Sequence, residues 1–262
     1  MQIEVKDHII NYKVLNQQLL DSEKPVLIFL HEGLGSISQF KYFPQLISDM
    51  TNLPAIIYDR IGYGLSSERK LELNADYLHD EALIYLPELL INLNINNKVI
   101  LVGHSDGATI SLLFASFFPE KVIGVVSEAA HVIVEDITVN GIKNLKDNFY
   151  KNPALMKGLK KYHGAKTEEL FLQWTDLWLT KDIKEWNIEK ELKNITSPVL
   201  VIQGENDEFG SYSQLECIKN HVNANVELSY FAECGHVPHF EKENEVKILI
   251  QGFIEKICNK NI

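Results

Sequence analysis

The chain has 262 residues, 45% of them apolar and 23% charged, and carries a formal net charge of −11. That length permits one large α/β domain or two small ones, with a core that needs neither disulfide nor metal. Acidic and basic residues are interspersed, which excludes the basic footprint of a nucleic-acid binder and the polybasic anchor of a membrane-surface protein.

The opening MQIEVKDHII lacks the basic segment and long apolar stretch of a signal peptide and reads instead as a β-hairpin over residues 2–5 and 8–15. No apolar run approaches the roughly 18 residues of a membrane span. Next come PVLIFLH (25–31), PAIIYD (54–59), KVILVG (98–103), KVIGVVS (121–127), PVLVIQG (198–204) and NVELSYF (225–231). Short continuous apolar runs of this kind are strands buried on both faces. Helical patterns lie between them, at about 38–49, 76–92, 106–117, 212–221 and 243–258, with Pro119 as a stop signal. Strand alternating with helix predicts a mostly parallel sheet covered on both faces.

The rhythm breaks over residues 132–194. That stretch has only helical pattern, interrupted at Gly141, Pro153 and Gly164. Within it Leu170, Phe171, Trp174, Leu177 and Trp178 recur on one helical face. It reads as a helical lid inserted into a core domain of residues 1–131 and 195–262. Its aromatic face either packs on the core or also meets substrate, with Trp174 and Trp178 as substrate-binding candidates. The three cysteines, Cys217, Cys234 and Cys258, form no CxxC and read as free thiols of a cytoplasmic protein.

The chemistry concentrates at strand ends. Gly103-His104-Ser105-Asp106-Gly107 follows the strand KVILV and opens the helix ATISLLFASF. GxSxG alone is weak, but between strand and helix it is a nucleophile elbow, with Ser105 as nucleophile. Flanking glycines keep the turn free of side chains, and the helix N-terminus faces developing negative charge. The competing reading is a simple N-cap serine. A serine hydroxyl needs a base, itself held by an acid, in the chain order Ser, Asp or Glu, His. Asp207 follows the strand PVLVIQG, and His236 follows the last strand. Their rivals are Glu205, Glu208 and above all Glu128 for the acid, and His239 for the base. His104 is expected to point away from the hydroxyl. His131 either faces the pocket, as a further substrate-binding candidate, or is structural. Two backbone N–H groups should form an oxyanion hole, Asp106 after the nucleophile and Gly33 in the turn His31-Glu32-Gly33-Leu34-Gly35.

HEGLG (31–35), YDRIGYGLSS (58–67), GHSDGA (103–108), QGENDEFG (203–210) and CGHVPHFE (234–241) together resemble the α/β-hydrolase superfamily over essentially the whole chain. The resemblance implies an eight-stranded, mostly parallel sheet with a helical lid between strands six and seven. HEGLG with GHSDGA is similar to a branch of hydrolases and esterases, to which macrolide-lactone esterases are related. Glu32 stands where many relatives have glycine, so it is a candidate to orient the loop, bind a substrate amine or face solvent. Asp106 replaces the usual Met or Gln, which weighs against haloperoxidases and C–C hydrolases. The resulting expectation is a serine esterase or lactonase acting on a bulky, partly apolar small molecule. It needs no cofactor and works as a monomer or homodimer. A C–C hydrolase or lyase using the same residues is one alternative, and a non-catalytic receptor on the same fold is the other.

Overall fold

A computed structural model describes residues 1–70 and 72–260. Its strands are β1 (Gln2–Val5), β2 (His8–Leu15), β3 (Val26–Leu30), β4 (Ala55–Tyr58), β5 (Val99–His104), β6 (Val122–Glu128), β7 (Val199–Gly204) and β8 (Val226–Phe231). They form one sheet in the order β1-β2-β4-β3-β5-β6-β7-β8. β1 pairs antiparallel with β2, and β2 antiparallel with β4; every other pairing is parallel. This is the predicted α/β-hydrolase architecture.

Alternation along the central strands builds two cores. Val26, Ile28, Leu30, Leu101 and Val125 join the core on one face of the sheet. Leu27, Phe29, Ile100, Val102 and Val126 join the core on the other. Period-two geometry sends successive side chains to opposite faces, and each buried Val, Leu or Phe contributes about 1.5–3 kcal/mol.

The helices are α1 (Phe43–Thr51), α2 (Tyr77–Asp80), α3 (Leu86–Asn92), α4 (Asp106–Phe117), α5 (Asp136–Phe149), α6 (Pro153–His163), α7 (Thr167–Trp178), α8 (Lys181–Lys184), α9 (Glu189–Leu192), α10 (Tyr212–His221), α11 (Pro238–Glu241) and α12 (Glu243–Lys260). Phe43 and Ile47 of α1 and Val246, Ile250 and Phe253 of α12 pack into one core. α3, α4, α10 and the helices between β6 and β7 pack into the other. α4 is buried from Asp106 to Ser116, as an all-round apolar helix between sheet and insertion should be.

Two helices depart from the sequence pattern. The first starts at Phe43 rather than near residue 38, because Lys41 has φ +52° and Pro44 suits only a helix's first turn. The second is interrupted by a π turn over Glu81–Tyr85, where the Leu86 N–H reaches back to the Glu81 carbonyl. Pro87 has no N–H for the carbonyl four residues back, so a local break falls just before it. α5–α9 lie between β6 and β7, and Ile133 bridges Asn187 where that insertion leaves and rejoins the sheet. No described helix is long and apolar enough to cross a membrane.

Candidate active site

β5 ends in a sharp turn at Ser105, whose φ of 54° and ψ of −120° lie outside the ordinary regions for a non-glycine residue. Such a conformation costs about 1–3 kcal/mol and persists only when its surroundings over-determine it. The Ser105 N–H donates to the Glu128 carbonyl at 2.8 Å, and the Ser105 carbonyl accepts from Ala108 and Thr109 in α4. A Cβ on Gly103 would strike the Gly107 backbone, and one on Gly107 would strike the Leu30 carbonyl. Ser105 is 4% exposed.

The loops after β7 and β8 are laced together. Glu205 N–H donates to the Phe231 carbonyl and Asn206 N–H to the Cys234 carbonyl, each at 2.8 Å. Asp207 thereby meets His236, with Nδ1 2.9 and 2.8 Å from the two carboxylate oxygens. Asp207 also accepts from Gln203 Nε2 at 2.6 Å and from Phe209 N–H at 2.8 Å. Burial alone would raise its pKa, but the charge and hydrogen bond of His236 and the Phe209 N–H hold it below the usual carboxylate range. Glu241 accepts from the N–H groups of Gly235 and Val237, bracketing His236. Ser105 Oγ makes no protein hydrogen bond among the described residues; such bonds are often long without substrate.

The two rivals engage each other. Glu128 accepts from the His239 N–H at 2.6 Å and lies 2.9 Å from His239 Nδ1. His239 is 2% exposed and packs against Phe40, Phe43 and Phe240. His236 keeps a partly open ring, 13% exposed, beside Phe209. Glu205 is exposed on the same loop. Cys234 is buried and its thiol is pushed up to about 12, first by burial and then by Glu241.

Glu32 and His104 form a pair that links the two glycine-rich motifs. His104 Nδ1 lies 3.5 Å from Glu32 Oε2, and its Nε2 donates to the His236 carbonyl at 2.7 Å. Burial works against charge on His104, yet Glu32 and Glu128 raise its pKa to about 9. Glu32 falls to about 2, because His104 outweighs the burial that would raise it. The turn after β3 owes its glycines to close approach. A Cβ on Gly33 would come 2.6 Å from the Trp174 indole, and one on Gly35 would strike the Glu32 carboxylate. The positive φ in this turn belongs to Leu34, at 62°. Neither Gly33 N–H nor Asp106 N–H has a protein acceptor among the described residues.

Asp106 does more than complement a helix dipole. Its carboxylate meets the fully buried Arg60 guanidinium at 3.1 Å and accepts from Trp174 Nε1 at 3.3 Å. Arg60 also donates to the Glu32 carbonyl at 2.9 Å and stacks on Tyr63. All five apolar positions of the α7 face are buried, and Phe171 stacks on Phe149. Trp178 donates to the Tyr77 hydroxyl at 3.0 Å. His131 lies 3.0 Å from the Phe209 carbonyl and stands between Trp178 and His236; burial, then the charge of His236, lowers its pKa.

The model of the alpha/beta hydrolase family matches residues 27–246. The chain belongs to that family. Among curated proteins, this hydrolase is 22% identical to a proline iminopeptidase of Saccharolobus solfataricus, over 90% of this chain and 86% of the relative. Its fold superposes on a carboxylesterase of Nitrososphaera gargenis with a TM-score of 0.79 at 19% identity, covering 100% of both chains. It is also similar to an alpha/beta hydrolase enzyme from a Medee basin deep-sea metagenome library, with a TM-score of 0.74, 22% identity and 97% of both chains covered.

Three residues of this hydrolase's site escape a reading of the sequence. Gln203 holds Asp207 from the strand before it, and Arg60 holds Asp106 from across the sheet. His163, at the end of α6, accepts from Gly64 N–H at 2.9 Å and donates to the Leu34 carbonyl at 2.8 Å. Burial, outweighing that carbonyl, lowers its pKa, which suits a neutral ring that accepts at Nδ1. Only the Asp-Arg pair of YDRIGYGLSS, opposite an acidic residue in GHSDGA, carried a signal.

Proposed function

We propose that this hydrolase cleaves a carboxylic ester or lactone through an acyl-enzyme on Ser105. The observation that carries the reading is the strained Ser105 backbone at the β5–α4 junction, supported by the Asp207–His236 pair on the same strand-end rim. In this mechanism His236 takes the Ser105 proton as Oγ bonds to the substrate carbonyl carbon. Gly33 and Asp106 N–H groups receive the oxyanion. His236 then returns the proton to the leaving alcohol as the C–O bond breaks. Water, deprotonated by His236, adds to the acyl carbon; the Ser105 Oγ–acyl bond breaks and Oγ regains the proton. Asp207 fixes the imidazole tautomer and stabilises the imidazolium.

The insertion acts as a lid in this reading. Trp174, against the Gly33 turn, is the residue best placed to wall the acyl group. Trp178 and His131 are bonded within the protein away from that turn, and the Glu32 carboxylate is engaged by His104, which favours positioning roles for them. A peptidase reading is second, because a curated relative is a proline iminopeptidase.

A fluorophosphonate should label Ser105 stoichiometrically, and short p-nitrophenyl esters should turn over. Ser105→Ala should abolish both with the far-UV spectrum unchanged, and Asp207→Asn should lower kcat by about 10⁴, as in the serine-protease template. Folded protein that neither labels nor turns over ester would sink the proposal. Faster cleavage of proline p-nitroanilide than of any ester would favour the peptidase. Within the ester reading, a panel of macrolide lactones tests the narrower substrate, with a mass gain of one water reporting ring opening.

A further inference from the structure

We propose that Glu189, Cys217 and His221 form a binding site for a thiophilic divalent cation of the zinc type, on the face of the molecule where the insertion rejoins the sheet domain. Cys217 and His221 are four residues apart on α10 and therefore share one helix face. Glu189 comes from the first turn of α9, the last helix of the insertion. Cys217 Sγ lies 3.6 Å from Glu189 Oε1 and 3.6 Å from His221 Nδ1, and His221 Nε2 lies 3.9 Å from the same carboxylate oxygen. One ligand atom from each residue falls within 4.8 Å of the other two. Metal–sulfur bonds of about 2.3 Å and metal–nitrogen or metal–oxygen bonds of about 2.0–2.2 Å give tetrahedral edges of about 3.3–3.6 Å. The sulfur–carboxylate edge of 3.6 Å already has that length and the Nε2–carboxylate edge of 3.9 Å is a few tenths longer, while a side-chain rotation would close the remaining edge from within the 4.8 Å limit.

The surroundings fit as well. His221 Nδ1 lies 2.8 Å from the Cys217 carbonyl. A proton there donates to that carbonyl and leaves the Nε2 lone pair free, the tautomer-fixing contact that metal-ligating histidines commonly make. Cys217 is buried, whereas the His221 and Glu189 side chains are 27% and 43% exposed. The site is thus closed behind at Cys217 and exposed to solvent in front at His221 and Glu189. Among the described residues Glu189 has no lysine or arginine partner. Cys217 offers a thiol, whose proton must leave before the sulfur can ligate a cation. Cation binding releases that proton to solvent and forms the metal–thiolate bond. Sulfur and imidazole ligands select against magnesium and calcium. The bound cation would staple α9 to α10 at the base of the insertion, independently of what Ser105 does.

The test uses the full chain after chelator treatment, titrated with Co²⁺. A thiolate-to-cobalt charge-transfer band should saturate at a single equivalent, and Zn²⁺ should abolish it competitively. Cys217→Ser should remove the band, His221→Asn should weaken binding tenfold or more, and Cys258→Ser should change neither. Zn²⁺ should raise the melting temperature of the wild type and leave that of Cys217→Ser unmoved. A wild-type chain with no charge-transfer band overturns the proposal without any variant, and so does a band that survives in Cys217→Ser.

Discussion

Glu32 is the residue at which this chain leaves the commoner motif, and its partner explains the departure. Its carboxylate folds over Gly35 and meets His104, which holds the carbonyl of His236. His104 has a folded pKa of about 9 against an ordinary 6.5, so its contribution to stability is complete below 6.5 and is lost as pH rises through 9. Glu32 has a folded pKa of about 2 against 4.5, so its contribution is complete above 4.5 and is lost as pH falls through 2. Glu32→Gln should therefore destabilise most between pH 4.5 and 6.5, and progressively less toward pH 9. Urea denaturation across that range measures it; a pH-independent difference would detach Glu32 from His104. Asp106 invites a second prediction. Asp106→Ala leaves the Arg60 guanidinium buried without its carboxylate, at a cost of about 3–5 kcal/mol, read from the denaturation midpoint. At this scale the sequence was informative where the chemistry is local. Ser105 announces itself by the strand before it and the helix after it. His163 does not, because the turns it joins are brought near only by the fold; Arg60 shows only as one half of an Asp-Arg pair, and Gln203 is hidden inside an apolar strand run.

At the scale of elements, strands were the easiest to read. β3, β5 and β7 are buried on both faces, so their sequences are continuous apolar runs bounded by turns. Helix ends were harder, since Lys41 and Pro87 act through backbone geometry and leave the apolar pattern intact. The tethering of the insertion was illegible. His163 reaches two separate turns with one imidazole, and no periodicity encodes that. His163→Ala leaves the Gly64 N–H and the Leu34 carbonyl without a partner, which costs about 1–3 kcal/mol. Limited proteolysis should then cut within residues 132–194 faster than in the wild type, while the sheet fragments stay intact. Equal cleavage rates would show that α7 packing alone holds the insertion.

At the scale of the molecule, the sheet order places β5, β6, β7 and β8 side by side, so their carboxyl ends form one rim carrying Ser105, Glu128, Asp207 and the segment before His236. The alternation of strand and helix foretold that rim, since a parallel sheet aligns its strand ends. The rim is fastened in two different ways. The Asp207 and His236 loops are bound to each other by backbone hydrogen bonds, which ordinary substitutions leave in place. The insertion reaches the sheet domain through side chains, among them His163, Trp174 and Trp178. Inheritance treats these fastenings unequally. Under the proposed function, exchanges along the insertion would reshape what the molecule accepts while the proton path is carried forward unchanged, so descendants of one ancestor would diverge in diet before they diverge in chemistry.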